Sequence, residues 1–151
     1  MTLDESARRL GRLAWGEQRL FEILGAWVRR APDDGLAVAL ATEALHHGAH
    51  ALELVALLPE TRDHDPAELV SAPPEHETAW SELAGVEEPG TGLADLAPLL
   101  SEHLAAMAAW LEDASPVRDG PGIRVLTPIL ARARADRDRT LARTGGARSP
   151  A

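Results

Sequence analysis

Apolar residues recur every three or four positions in four long segments of this chain, which is the spacing of one buried face of an α-helix. Ala and Leu dominate the composition and few residues are β-branched, so a β-sheet protein is not expected. The spacing predicts long helices over residues 4–30, 35–58, 92–114 and 121–143, with short helices near 65–71 and 75–84. An all-α fold is therefore predicted.

The connections between the long segments differ in length. Residues 32–35 form a tight turn and residues 115–121 a short break, so each joins two helices into an antiparallel hairpin. Residues 59–91 contain five prolines and many acids, which indicates a long crossover between the hairpins. We expect one four-helix bundle domain over residues 1–144, followed by a disordered tail over residues 145–151.

Missing residue types exclude several kinds of chemistry. The chain has no Cys, Lys or Tyr, so disulfides, Cys-ligated zinc, iron–sulfur clusters, thiol nucleophiles and Schiff-base lysines are excluded. The serines and glycines form neither a nucleophile motif nor a nucleotide-binding motif. No catalytic residue is therefore assigned, and a non-enzymatic protein is favoured while an oxidase-type activity stays open.

Charge is unevenly distributed along the chain. Residues 59–113 carry 13 acids and one Arg, whereas residues 114–151 carry eight Arg and three acids, and the whole chain has a net charge of −9. The acidic part opposes contact with phosphate groups, so nucleic acid is not an expected partner. No stretch approaches the roughly 18 apolar residues of a membrane span, and the N-terminus lacks the apolar region of a signal peptide. We expect a cytoplasmic protein with no membrane partner.

Titratable residues interrupt the apolar stripes of the predicted helices. A buried charge must be paired, hydrogen-bonded or metal-bound, because desolvating it alone costs several kcal/mol or more. His103 interrupts the third helix. The residues of the first two helices that form the candidate site are Glu17, Glu43, His46, His47 and His50, with Arg134 and Arg137 of the fourth helix as possible ion-pair partners.

Glu43 and His46 form a Glu-x-x-His sequence in the second helix. Residues three apart on a helix project to one face, so this pair can serve one or two metals. Glu17 of the first helix would complete a half-site, and carboxylate and imidazole ligands suit iron, manganese or zinc. The alternative is a buried ion pair in which Arg134 or Arg137 neutralises a carboxylate, since a guanidinium matches a carboxylate well.

The chain also resembles the ferritin-like superfamily of di-iron carboxylate proteins, and within it small ferritin-like proteins of actinobacteria. The resemblance covers most of residues 8–142 and is carried by EQRLFEILGAW (residues 17–27), HHGAHA (46–51) and SPVRDGP (115–121). It implies a ferritin-like bundle in which the third helix supplies a Glu and the fourth a second Glu-x-x-His. Here the third helix offers Glu102, one position off the stripe, and residues 131–138 contain no Glu or His. The resemblance therefore implies a degenerate di-iron site.

Three kinds of function remain open from the sequence. The favoured one is a non-enzymatic interaction or structural protein, a homodimer or bound to a protein partner, whose core is held by carboxylate–Arg pairs. The second is a protein that binds one divalent metal (iron, manganese or zinc) at the half-site, with oxidase-type activity. The third is a small-molecule binder that uses the space where the metals of a di-iron protein would lie.

Overall fold

The computed structural model describes residues 1–60, 65–74 and 76–146, and side chains as far as residue 142. Its helices are α1 (Leu3–Val28), α2 (Asp34–Val55), α3 (Pro66–Leu69), α4 (Glu77–Ala84), α5 (Pro89–Asp113) and α6 (Gly120–Gly146). The described residues contain no β-strand, so the predicted all-α class is confirmed. No helix among them is both long enough and apolar enough to cross a membrane.

Side-chain caps set where the first two helices begin. Thr2 and Glu5 form a capping box, in which each side chain accepts a hydrogen bond from the other residue's backbone N–H. Asp33 caps α2 by accepting a hydrogen bond from the backbone N–H of Leu36 at 2.8 Å. The four long helices agree with the predicted ones to within three residues at every end.

The four long helices pack against one another around a common core. α1 packs on α2 and α5 packs on α6, while α2 also contacts α6 and α1 also contacts α5. The connections over residues 29–33 and 114–119 are short, whereas α2 and α5 are joined by residues 56–88, which include α3 and α4. This order matches the two predicted hairpins and their crossover.

Tryptophans attach the long connection to the first helix. The indole N–H of Trp27 donates a hydrogen bond to the backbone oxygen of Val86 at 2.9 Å. Trp80 of α4 is buried and meets the Trp15 ring edge to face, with ring centroids 5.8 Å apart. Because aromatic side chains bury large apolar areas, these contacts hold α4 against α1 and α5.

Two carboxylates lie among the apolar side chains of the core. The largest fully buried side chains are Trp27, Trp110, Leu20, Leu24, Leu40, Leu54, Met107, Leu126, Glu17 and Asp136. Each fully buried Leu or Met contributes about 1.5–3 kcal/mol from removal of its apolar surface from water. The two acids contribute nothing of this kind and need polar partners instead.

The end of the fourth helix differs from the predicted one. Its predicted buried face ran through Leu141, which is 40% exposed, whereas Ala133, Asp136 and Thr140 are buried. After Ala133 the only large apolar side chain of α6 is Leu141, so the predicted direction of the face rested on a single residue. α6 also extends through Gly146, so residues 145–146, predicted to belong to the tail, are helical, and residues 147–151 lie outside the described residues.

A smaller difference concerns the first helix. The apolar spacing of the sequence predicts that Leu20 and Phe21 both lie on its buried face. The structure buries Leu20 completely and leaves Phe21 45% exposed, beside Gly48 of α2. Consecutive helical residues point about 100° apart, so Leu20 lies within the buried stripe of α1 and Phe21 at its edge.

Candidate metal centre

Glu17 is the centre of a buried cluster of histidines. Its side chain is fully buried in the middle of α1. The carboxylate oxygen Oε2 lies 2.7 Å from Nδ1 of His47 and 3.0 Å from Nδ1 of His50. The other oxygen, Oε1, lies 2.9 Å from Nε2 of His103. Three imidazoles from α2 and α5 therefore surround one carboxylate of α1.

The helices bring these side chains together by simple spacing. His47 and His50 lie three residues apart on α2, so both project toward α1. His103 approaches α1 at Gly16, where a Cβ would collide with the imidazole ring. The missing side chain at Gly16 therefore lets His103 come close enough to reach the next residue, Glu17.

A second polar group lies between α2 and α6. Nδ1 of His46 lies 2.8 Å from Oδ2 of Asp136. The other oxygen of Asp136 accepts a hydrogen bond from the guanidinium of Arg139. Beside this pair, the hydroxyl of Thr140 donates a hydrogen bond to the carboxylate of Glu43. Each buried acid of this group thus has a polar partner on the facing helix.

The electrostatics of Glu17 and His47 favour their charged forms. Burial raises the pKa of Glu17, but the charge of His47 and the hydrogen bonds from His103, His47 and His50 outweigh it and hold the pKa well below 4.5. Burial lowers the pKa of His47, but the charge and hydrogen bond of Glu17 more than reverse this, so the net pKa lies above 6.5. Both pKa shifts therefore favour a buried ion pair between Glu17 and His47 in the metal-free protein.

Glu43 has the opposite electrostatic surroundings. Burial raises the pKa of Glu43 above its ordinary value of 4.5, and the charge of Asp136 adds to this. The hydrogen bond from Thr140 opposes the rise without cancelling it. Glu43 therefore keeps its proton to a higher pH than an exposed Glu, which makes it a poorer anionic ligand than Glu17.

The predicted site residues are divided between these two groups. Glu17, His47 and His50 come together, whereas Glu43 and His46 are bonded to side chains of α6. The predicted half-site of Glu17 with the Glu43-x-x-His46 pair is therefore replaced by one built from His47 and His50.

The predicted ion pairs between the buried acids and Arg134 or Arg137 are wrong. Arg134 is exposed on α6, and Arg137 pairs with its neighbour Asp138 at 2.8 Å. The physical reason is the rotation of α6, which turns Asp136 toward α2 and both arginines away from the core. Glu17 obtains its compensating charge and hydrogen bonds from imidazoles instead.

His103 of the Glu17 cluster and Asp136 of the second polar group are absent from the candidate site residues predicted from the sequence. His103 interrupts an apolar stripe, but no pattern connects it to Glu17, 86 positions away. The resemblance to ferritin-like proteins implies Glu and His ligands on the fourth helix, and Asp136 is neither. Its spacing of three residues from Ala133 continues the buried positions Leu126, Ile129 and Ala133, and this could have revealed it.

The Glu17 group has the composition of a metal site. Glu17, His47 and His50 each offer a ligand atom, and these atoms lie within 4.8 Å of one another in a fully buried setting. Two imidazoles and one carboxylate are the donor set of many non-haem iron sites and of some zinc sites. His103 holds the second oxygen of Glu17, as outer-shell partners commonly hold a ligating carboxylate.

The fold and this cluster define an all-helical protein with a buried carboxylate–imidazole centre. No protein-family model, no curated protein and no solved structure matches the chain. Its function is therefore inferred from the chemistry of the centre itself.

Proposed function

We propose that this protein is a ferritin-like metal-binding protein that holds one divalent ion, iron, manganese or zinc, at Glu17, His47 and His50. The observation that carries the proposal is the convergence of three imidazoles on one fully buried carboxylate. A buried ionic group is a poor source of stability, since apolar side chains of similar size often stabilise a core as well or better. A ligand-binding role accounts for such a group better than packing does.

The helix order supports the ferritin-like assignment. In this topology two helical hairpins are joined by one long crossover, and the metal ligands project inward from facing helices. Here α1 pairs with α2 and α5 pairs with α6, and residues 56–88 connect the two pairs. The Glu17 cluster lies where α1, α2 and α5 meet.

The side chains fit one metal ion and not two. A complete ferritin-like site takes a second Glu-x-x-His from the fourth helix, and the corresponding pair here is Asp136 and Arg139. The guanidinium of Arg139 is bonded directly to Asp136. A fixed positive charge at this carboxylate repels a second divalent ion. The proposed centre is therefore mononuclear.

The chain's own residues have distinct parts in this proposal. Glu17 supplies the negative charge, His47 and His50 supply neutral imidazole nitrogens, and His103 orients Glu17 through its second oxygen. Because the raised pKa of His47 favours its protonated form, a metal ion competes with a proton for this imidazole and binding weakens as the pH falls. Bound iron or manganese would supply redox chemistry at this centre, and bound zinc a Lewis acid.

Metal content and direct titration test the proposal. Tag-free protein is stripped of metal and titrated with Fe(II), Mn(II) or Zn(II) by calorimetry, and the content of untreated protein is measured by plasma mass spectrometry. We expect about one ion per chain in the wild type, and loss of binding in Glu17→Gln and in His50→Gln. His46→Gln is the matched control, because His46 lies on the same helix but bonds to Asp136.

Two outcomes would contradict the proposed centre. Folded wild-type protein that takes up none of the three metals would show that the cluster is a structural ion pair. Binding that survives Glu17→Gln but is lost in His46→Gln would place the metal at the Glu43 and His46 pair.

For a partner, we propose a second copy of this chain, bound through the outer face of α2. Val38, Leu45 and Leu52 are 66%, 68% and 74% exposed and lie seven residues apart, which is the spacing of a helix–helix seam. A two-fold dimer uses the same surface on both chains, so such a stripe can pair with itself. Sedimentation should show a dimer that Leu45→Glu dissociates and that Val117→Glu, at another exposed apolar residue, leaves intact. A wild-type monomer would exclude this interface.

A further inference from the structure

A pocket of about 360 Å³ lies next to the Glu17 cluster, formed by α1, α4, α5 and the connection. This volume is within the range of sites that bind small molecules. His103 lines the pocket and also bonds to Glu17, so it is common to both. Nothing in the proposed metal centre requires this space.

Aromatic and aliphatic side chains form most of the pocket wall. Trp15, Trp80, Leu13 and Leu99 line it. The Trp80 ring is held between Trp15 and His103, with its centroid 5.8 Å from the first and 6.3 Å from the second, edge to face in both cases. Rings fixed in this way favour a flat aromatic ligand, which gains stacking and edge contacts without ordering a mobile wall.

His103 offers one ring nitrogen to a ligand. Its Nε2 bonds to Glu17, and among the described residues Nδ1 has no hydrogen-bond partner. His103 is 9% exposed and lines the open pocket, where water reaches Nδ1 and a ligand atom can replace that water. In the tautomer that donates Nε2–H to Glu17, Nδ1 accepts a hydrogen bond, and a ligand hydroxyl group supplies one.

The charged groups of the pocket leave one cation for a ligand. Arg9 pairs with Asp113 at 2.7 Å, and Nε2 of His76 lies 3.6 Å from Glu102. Arg12 also lines the pocket, is exposed, and makes no ion pair with the described residues. A guanidinium binds a carboxylate through two parallel hydrogen bonds. Arg12 therefore favours a ligand that carries a carboxylate.

Arg12 and His103 reach the pocket at different points along α1. Arg12 and Gly16, against which His103 packs, lie four residues apart on α1, so the two points are separated by one helical turn, about 6 Å along the axis. A benzene ring with substituents at opposite ends suits two separated polar groups better than one with adjacent substituents.

We propose that this pocket binds a small aromatic carboxylate with a hydroxyl group at the opposite end of the ring. The ring lies against Trp15 and Trp80, the carboxylate on Arg12, and the hydroxyl on Nδ1 of His103. Protein side chains make all the proposed contacts with the ring, the carboxylate and the hydroxyl of the ligand. The site therefore does not depend on a metal at Glu17.

Calorimetric titration with three probes tests the proposal: 4-hydroxybenzoate, 2-hydroxybenzoate and benzoate. We expect saturable binding of 4-hydroxybenzoate, and about tenfold weaker binding of each of the other two, because each loses one polar contact. Arg12→Gln should weaken the binding of 4-hydroxybenzoate by about tenfold or more. Arg8→Gln, which removes another exposed arginine of α1 outside this pocket, should not.

His103→Gln tests the hydroxyl contact separately. It should abolish the preference for 4-hydroxybenzoate over benzoate while benzoate binding is kept, and the kept binding shows that the variant is folded. Absence of saturable binding would overturn the proposal. So would equal affinity for the three probes, or equal losses in Arg12→Gln and Arg8→Gln.

The same titrations on metal-stripped protein separate this site from the metal centre. Binding of 4-hydroxybenzoate by metal-free protein supports the pocket even where the chain takes up no metal. Conversely, stoichiometric metal with no binding of any probe supports the metal centre and overturns the pocket.

Discussion

Glu17 and Asp119 are both buried carboxylates, at 0% and 6% exposure, but their partners differ in kind. Asp119 accepts hydrogen bonds from the Ser115 backbone N–H at 2.8 Å, from Arg118 at 2.9 Å and from the Ser6 hydroxyl at 3.3 Å. Glu17 faces three imidazoles. Amide and guanidinium groups stay donors at every physiological pH, whereas an imidazole can give up its proton and bind a metal.

The two sites also differ in how far along the chain their partners lie. Ser115 and Arg118 are within four residues of Asp119, so most of that site is formed by the local turn before α6. The partners of Glu17 lie 30, 33 and 86 residues away. The Asp119 site closes a turn, while the Glu17 site exists only when α1, α2 and α5 are packed together.

The largest expected effect comes from removing each carboxylate charge in turn. Glu17→Gln leaves His47 without its counter-charge in the core and should lower the free energy of unfolding by about 3–5 kcal/mol. Asp119→Asn removes the charge and one acceptor oxygen but keeps the other, and should cost about 1–2 kcal/mol. Urea unfolding of metal-free protein measures both. Equal losses would show that the two sites have the same role in folding.

A smaller effect is expected from a single methyl group at the α1–α5 contact. Gly16→Ala pushes His103 away from Glu17 and should destabilise the protein by about 1–3 kcal/mol, with weaker metal binding. Gly25→Ala is the matched control on the same helix, where a Cβ meets nothing within 4 Å. It should stabilise the protein by about 0.5–1 kcal/mol, because Ala favours a helix more than Gly does. The comparison fails if both variants shift stability in the same direction.

The pH dependence of stability separates the two carboxylates next. The lowered pKa of Glu17 gives stability that is complete above pH 4.5 and is lost as the pH falls through the folded-state pKa. The raised pKa of His47 gives stability that is complete below pH 6.5 and is lost as the pH rises through the folded-state pKa. Metal-free protein should thus lose stability on both sides of pH 4.5–6.5, with a slope of at most about 1.4 kcal/mol per pH unit for each group.

Asp119 contributes to one side of this profile alone. The hydrogen bond from Arg118 lowers the pKa of Asp119. The contribution of Asp119 to the stability of the protein is therefore lost as the pH falls. Unfolding measured across pH should therefore show that His47→Gln flattens the alkaline side and that Asp119→Asn does not. An alkaline side that persists in His47→Gln would have another origin.

The smallest effect is expected at Glu43. Because its pKa is raised, the folded protein favours the protonated form, and ionised Glu43 lowers stability as the pH rises above 4.5. Glu43→Gln should change stability by less than about 1 kcal/mol at acid pH and become relatively stabilising at alkaline pH. Glu53→Gln on the exposed side of α2 should show no such trend in the same unfolding series.

The sequence predicted the helices well because each long segment has many apolar residues in phase. The positions of Leu13, Leu20 and Leu24 define one face of α1 independently of any single residue, and Glu17 lies in the middle of that face. The burial of Glu17, His47 and His50 follows from the same periodicity. Their meeting also follows in outline, because a short turn places α1 and α2 side by side.

The partners on the other two helices could not be predicted in the same way. Past Ala133 the fourth helix has charged residues at 134 and at 136–139, so apolar periodicity could not distinguish Asp136 from Arg134 and Arg137. The contact of His103 with Glu17 depends on the approach of α5 to Gly16, which is a property of packing between distant segments. A single sequence contains the local pattern of each helix but not the rotation of one helix against another.

The edge-to-face contact between Trp80 and His103 gives the centre an optical reporter of its own. The chain has no Tyr and four Trp, so its near-ultraviolet emission comes from indoles alone. Trp80 is the indole in ring contact with an imidazole that also bonds to Glu17. Replacing Trp80 with Phe would remove the fluorescence of Trp80 from the spectrum. The difference between the wild-type and variant spectra would then report metal binding or protonation at Glu17 without any added dye.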